Sequence, residues 1–157
     1  MQLDRVEAGV AREPRGAAEV LDHLRDLALA HREPEIAQVI EDFGRAAGLA
    51  REAGFDAVEL HLGHGYLLSQ FLCPATNRRR DRFGGDLDGR ARISLDVLAR
   101  VREVVGPGFP ILCKTNLRDG FRGGLELPDA VALARLLEAG GADALVLSGG
   151  FTSRSPF

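Results

Sequence analysis

Three short apolar runs, FDAVELHL (55–62), FPILCKTN (109–116) and ADALVLSGG (142–150), recur along the chain, each preceded by a helix-patterned segment. Each run has the length of an ordinary buried strand. None alternates cleanly between apolar and polar residues, which predicts strands covered on both faces. Ile36, Val39, Ile40, Phe43, Ala46, Ala47 and Ala50 fall on one helical stripe, and Gly54 follows as a stop. Ile93, Val97, Val101 and Val104 form a second stripe, opened by Asp86 as an N-cap and broken at Gly106-Pro107. A third helix has Pro128 near its first turn and Gly140-Gly141 at its end, the usual asymmetry of helix termini. Strands separated by single helices run parallel and are joined by right-handed crossovers, so the pattern predicts an α/β fold.

The totals narrow the function. At 157 residues with 45% apolar content, the chain is long enough for one domain with a core. A net charge of −3 and a pI near 5.8 give no overall attraction to nucleic acid or anionic membranes. No apolar run approaches the roughly 20 residues that span a bilayer. The stretch MQLDRVEAGVAREPRG has no apolar signal core, so Cys73 and Cys113 are expected as reduced thiols in a cytoplasmic protein. GAAEVLDHLRDLALAHR (16–32) has the pattern of another amphipathic helix, with no strand before it. Residues 1–34 are therefore set apart as an unassigned N-terminal helical segment, and the βα units occupy 35–157.

Polar side chains gather where the runs end. His61, His64 and Tyr66 follow the first, Lys114 and Asn116 close the second, and Ser148, Gly149 and Gly150 close the third. In parallel α/β folds ligands bind at the carboxyl ends of strands, so these residues predict one site. His61 and His64 admit three readings: a metal pair, for which Glu59 is the nearest further ligand; two histidines satisfying backbone groups; or two donors to a substrate carbonyl or anion. The pattern is not HExxH and no Cys/His cluster adds a ligand, so no metal is expected. Tyr66 is a phenol, protonated at neutral pH and able to donate to a developing carbanion. Lys114 either snorkels to solvent or stands in the pocket as a fixed charge. In NRRRDRFGGDLDGRAR (77–92), Asp81, Asp86 and Asp88 interleave with six arginines and no aromatic series accompanies them. Internal ion pairing in a long loop is expected there, not nucleic-acid binding.

The segment REAGFDAVELHLGHGYLLSQFLCPATNRRRDRFGGDLDGRARISL resembles the signature region of the Old Yellow Enzyme family, the FMN-dependent NADH:flavin oxidoreductases and ene-reductases. The shared elements are an AGFD-x-VE strand, H-x-x-H-G-Y-L, QFL-x-P, N-x-R-x-D, a glycine pair and an R-A-R helix start. The resemblance implies a partial TIM (β/α)8 barrel, with about three parallel strands drawn from its central βα units. It implies FMN as cofactor, NAD(P)H as reductant and a small-molecule substrate. His61 and His64 would bind the oxygen of an α,β-unsaturated carbonyl, Tyr66 would protonate the α-carbon, and Lys114 would stand beside flavin N1 and the C2 carbonyl. Phe83, Cys73 and Gly89 depart from the family's common tyrosine, serine and asparagine. A whole barrel of this type runs to about 250 residues. The alternative reading is accordingly a truncated, non-catalytic fragment that cannot hold FMN alone and self-associates through exposed sheet edges.

Overall fold

The computed structural model describes residues 31–151. Among them, the elements are α1 (Glu33–Glu52), β1 (Val58–His61), α2 (Leu67–Leu72), α3 (Leu87–Val105), β2 (Ile111–Asn116), α4 (Leu127–Ala139) and β3 (Ala144–Ser148). The strands form one parallel sheet in the order β1-β2-β3, with Leu60 paired to Cys113 and Cys113 to Leu145. This is the predicted alternation. Most of the helix predicted over 16–32 lies outside the described residues.

Each long helix begins and ends for a local reason. Pro34 lies in the first turn of α1, where its missing N–H costs nothing, and Glu35 reaches back to the Arg32 backbone N–H at 2.6 Å. Asp86 caps α3 by accepting from the Gly89 N–H at 3.0 Å, and Gly106 ends it at φ 79°. Pro128 and Gly140 bound α4 as expected.

The core lies on one face of the sheet. Leu60, Ile111 and Cys113 point into it against Ile93, Val97, Leu98 and Val101 of α3 and Leu133 and Leu137 of α4. α1 packs along α3 and contributes Ile36 and Ala47. Burying such a side chain is worth about 1.5–3 kcal/mol, so this face holds the sheet and helices together.

The expectation of strands covered on both faces needs correction. Glu59 and Ala144, which flank Leu112 on the face away from the helices, are exposed, and on the helix side Leu147 still retains 60% of its accessible surface. Among the described residues the helices form a layer on one face only. An apolar cleft of about 550 Å³ lies between β3 and α4, lined in part by Val131, Ala134, Leu145 and Leu147.

At the amino ends of the strands, Arg102 and Asp143 tie the connections together. Asp143 Oδ2 accepts from the Ile111 N–H at 2.8 Å and from Arg102 Nη2 at 2.5 Å. Arg102 also donates to the carbonyls of Gly106, Phe109 and Gly141. The backbone donor from Ile111, with Arg102 beside it, holds the Asp143 carboxyl below the usual carboxylate range.

Candidate functional site

The opposite end carries the predicted site residues. Parallel register pairs His61 with Lys114, and residues so paired share one face. Leu60 and Cys113 are buried on the helix side, so His61 and Lys114 project from the other face. The His61 ring lies 5.0 Å from that of His64 and 5.2 Å, edge-on, from that of Tyr66. Three of the predicted side chains thus form one cluster, with Lys114 beside it. Tyr66 is 58% exposed and presents its phenol to solvent.

The turn after β1 is built to face these groups together. His64 has φ 62°, in the left-handed region that non-glycine residues seldom adopt, and Gly65 follows at φ 84°. Two anchors hold His64 there. Its N–H donates to Asn116 Oδ1 at 3.3 Å, and its Nε2 shares a 2.5 Å hydrogen bond with Ser148 Oγ. The turn is fastened from below: the Gly65 N–H donates to Ser69 Oγ at 3.1 Å, and Gln70 Nε2 donates to the Gly65 carbonyl at 2.8 Å. His64 also bridges in parallel to Phe151, so all three strand ends meet at this turn.

Electrostatics separate the two histidines. Burial pushes the His61 imidazole below its ordinary value, and the charges of His64 and Lys114 push the same way, against a weaker pull from Glu59. His61 is therefore neutral near pH 7 and offers one N–H donor. Lys114 makes no ion pair with any described residue and stands as a positive charge on this face.

The arginine segment is partly ion-paired, and its ordering rests as much on an amide. Asn77 Nδ2 donates to the carbonyls of Phe71 and Phe83, both at 2.7 Å, closing the segment on itself. Arg79 pairs with Asp81 and donates to the His31 carbonyl. Arg90 is buried and reaches Asp129 at 2.8 Å, and Arg82 reaches Glu33 at 3.5 Å. Asp86 is used as a helix cap, not as an ion-pair partner. Ahead of this segment, Leu67–Leu72 form the short helix α2, which periodicity alone does not separate from the loop around it.

Three departures from the family pattern have local causes. Phe83 is fully buried, where a hydroxyl would need a partner. A Cβ on Gly89 would stand 2.0 Å from the Gly84 carbonyl oxygen, so a larger residue does not fit this turn. Cys73 is buried, and that burial pushes its thiol up to about 11. Cys113, pushed up to about 12 by burial, is likewise a packing residue.

In sequence, Asn116 and Ser148 stand out as strand-end polar residues, but nothing there gives either a task. Asp119 does not stand out at all, yet it is 1% exposed and bonded to Asn116 Nδ2 at 2.8 Å. An acidic residue three positions past a strand end, within a polar loop, was the available signal. Among the described residues no group of three or more His, Cys, Asp or Glu is arranged to hold a metal, and no helix is long and apolar enough to cross a membrane.

A parallel βα sheet with polar side chains converging at its strand carboxyl ends defines an α/β protein, and in such folds ligands bind at that end. The chain belongs to the NADH:flavin oxidoreductase / NADH oxidase family, whose model matches residues 11–149. The match begins ahead of residue 35, where the recognisable motifs start. The chain is 44% identical over 117 residues to a 4,4'-dithiodibutanoate disulfide reductase of Rhodococcus erythropolis, covering 74% of this chain and 29% of that protein. It is 42% identical over 122 residues to an NADPH dehydrogenase of Listeria welshimeri, covering 77% and 36% respectively. An Old Yellow Enzyme homologue from Zymomonas mobilis superimposes with a TM-score of 0.69 at 27% identity, covering 80% of this chain and 38% of that one. The chain thus spans about a third of the length of these relatives and corresponds to part of a TIM barrel.

Proposed function

We propose that these residues form the substrate side of an FMN-dependent oxidoreductase that reduces an α,β-unsaturated carbonyl or a related small molecule. The observation that carries this reading is the cluster of His61, His64 and Tyr66 at one strand end, with ring centroids 5.0 and 5.2 Å apart. The His61 and His64 rings lie side by side at the strand end, with His64 held in place by Ser148, and a carbonyl oxygen bound by both would sit beside them. Donors there stabilise the negative charge that gathers on this oxygen as the β-carbon becomes electrophilic. Tyr66, exposed beside them, delivers the proton of its phenol to the α-carbon.

The donor set suits one edge of a flavin. Lys114, which makes no ion pair with any described residue, places a cation on the face that carries His61, beside the half-buried apolar side chains of Leu112 and Val146. A positive charge there favours the anionic reduced ring. When bound, FMN would supply the hydride, with NAD(P)H as its reductant. The residues named here bind, polarise and protonate.

In flavin-loaded protein, Tyr66→Phe is expected to slow the half-reaction with 2-cyclohexen-1-one while leaving flavin reduction by NADPH near the parental rate. Equal loss in both half-reactions would remove Tyr66 from this role. Among the described residues β1 and β3 are edge strands, and the exposure of Leu147 within β3 supports self-association of the chain as it stands. Size-exclusion chromatography giving a concentration-independent monomer would exclude it.

A further inference from the structure

We infer that Asn116 and Asp119 form a buried polarity lock that positions His64, an inference that rests on the substrate-holding role proposed above. Both residues are 1% exposed. Asn116 Nδ2 donates to Asp119 Oδ1 and to the Gly150 carbonyl, each at 2.8 Å, while its Oδ1 accepts from the His64 N–H. Asp119 Oδ2 accepts from the Leu125 N–H at 2.7 Å, and the Asp119 N–H donates to the Leu125 carbonyl at 3.0 Å. One amide therefore joins the ends of all three strands.

The direction of that amide is chosen by Asp119 and the Gly150 carbonyl together. Both Asp119 oxygens accept from N–H groups, and the Gly150 carbonyl can only accept, so Asn116 turns its NH2 toward them and its oxygen toward His64. Flipped, the amide would set oxygen against oxygen at Asp119 and NH2 against the His64 N–H. Asp119 is hydrogen-bonded to none of the three rings, yet with the Gly150 carbonyl it decides which end of the Asn116 amide the His64 backbone meets. That backbone needs an acceptor there: φ 62° persists for a residue with a side chain only where its surroundings over-determine it. There is little slack, since a Cβ on neighbouring Gly63 would stand 2.6 Å from Asn116 Oδ1.

Burial of Asp119 is itself unfavourable. It pushes the carboxyl above the usual range, against the opposing bonds from Asn116, the Leu125 N–H and the Cys73 thiol, while the charge of Glu126 adds to the push. An apolar side chain would fill the space at lower cost if packing were the only task.

The lock predicts a compensating pair of substitutions. N116D faces one carboxylate with another, and D119N brings an amide donor within reach of the Leu125 N–H. The double variant N116D/D119N exchanges the two groups. Its carboxylate, now on β2, accepts from the His64 N–H and from the relocated amide, and the oxygen of that amide accepts from the Leu125 N–H. The bond to the Gly150 carbonyl is lost and a carboxylate oxygen faces that carbonyl in its place, so the exchange restores the arrangement only in part. Two readouts apply to the purified chain: the hydrogen-exchange rate of the His64 amide, and the affinity for 2-cyclohexen-1-one read from the imidazole NMR signals of His61 and His64. Each single variant is expected to raise the exchange rate and the Kd by about 10-fold, the size of one lost hydrogen bond, and the double variant to fall between the parent and the milder single in both.

Parental values in both single variants, or a double variant no better than the worse single, would overturn the lock. An expected exchange pattern without any enone response in the parent chain would refute the substrate role and leave the lock standing. Should N116D fail to fold, D119L supplies the second variant. It removes the acceptor without adding a donor, and unchanged His64 exchange in it would also overturn the inference.

Discussion

Substituting Gly65 by alanine tests how tightly the turn between His64 and Tyr66 is held. Gly65 has φ 84°, and an added Cβ would stand 2.5 Å from two ring carbons of Phe151, itself fully buried. Gly54 supplies the control. Its φ of 87° is nearly the same, but a Cβ there meets nothing within 4 Å. The left-handed conformation should cost an alanine about 1–2 kcal/mol at either position. Overpacking against the Phe151 ring should add about 1–3 kcal/mol at Gly65 alone. Urea unfolding followed by circular dichroism gives both changes, and their difference isolates the steric part. The expected result is that G65A loses about 1–3 kcal/mol more than G54A at an unchanged denaturant slope. Equal losses would show that Phe151 does not press on the turn, and the description of three converging strand ends would fail with it.

Two further predictions concern charge. Lys114→Gln removes one of the charges that hold His61 below its ordinary value, so the His61 titration should move upward in an NMR pH series. Burial and His64 remain, so it should stay below the value of an exposed histidine; no movement would place Lys114 away from His61. Asp143 has a folded-state value below its unfolded one, so its contribution to stability is complete above the unfolded value and is lost as pH falls through the folded one. Asp143→Asn should therefore flatten the acid limb of the stability curve, and an acid limb as steep as the parent's would contradict the Arg102–Asp143–Ile111 arrangement.

The fold was legible where periodicity and punctuation agreed. The stripe Ile93–Val97–Val101 sits between a capping Asp86 and a Gly106 stop, and α3 occupies that interval. The strands were legible as apolar runs, but how deeply each side chain is buried was not. Leu145 and Leu147 read alike in sequence, yet Leu147 is exposed, because burial depends on what packs above a residue and not on its type. The short helix α2 escaped because six residues are too few for a 3.6-residue period to declare itself.

Site residues followed the same division. His61, His64, Tyr66 and Lys114 could be gathered in advance, since strand ends in parallel folds converge. The link from Asp119 through Asn116 to the His64 backbone could not, because it depends on which way one amide turns. The direction of the His61 shift was equally hidden, since it comes from burial and from charges carried by other segments.

The central claim is that His61 and His64 together hold a carbonyl oxygen. Of the chain's four histidines, His23 and His31 lie in sequence before the βα units and serve as internal controls. The direct measurement is a titration of the chain, carrying 13C-labelled histidine, with 2-cyclohexen-1-one. The account predicts that the ring signals of His61 and His64 shift along one binding curve while those of His23 and His31 stay still. Four signals that move alike, or none that move, would contradict it.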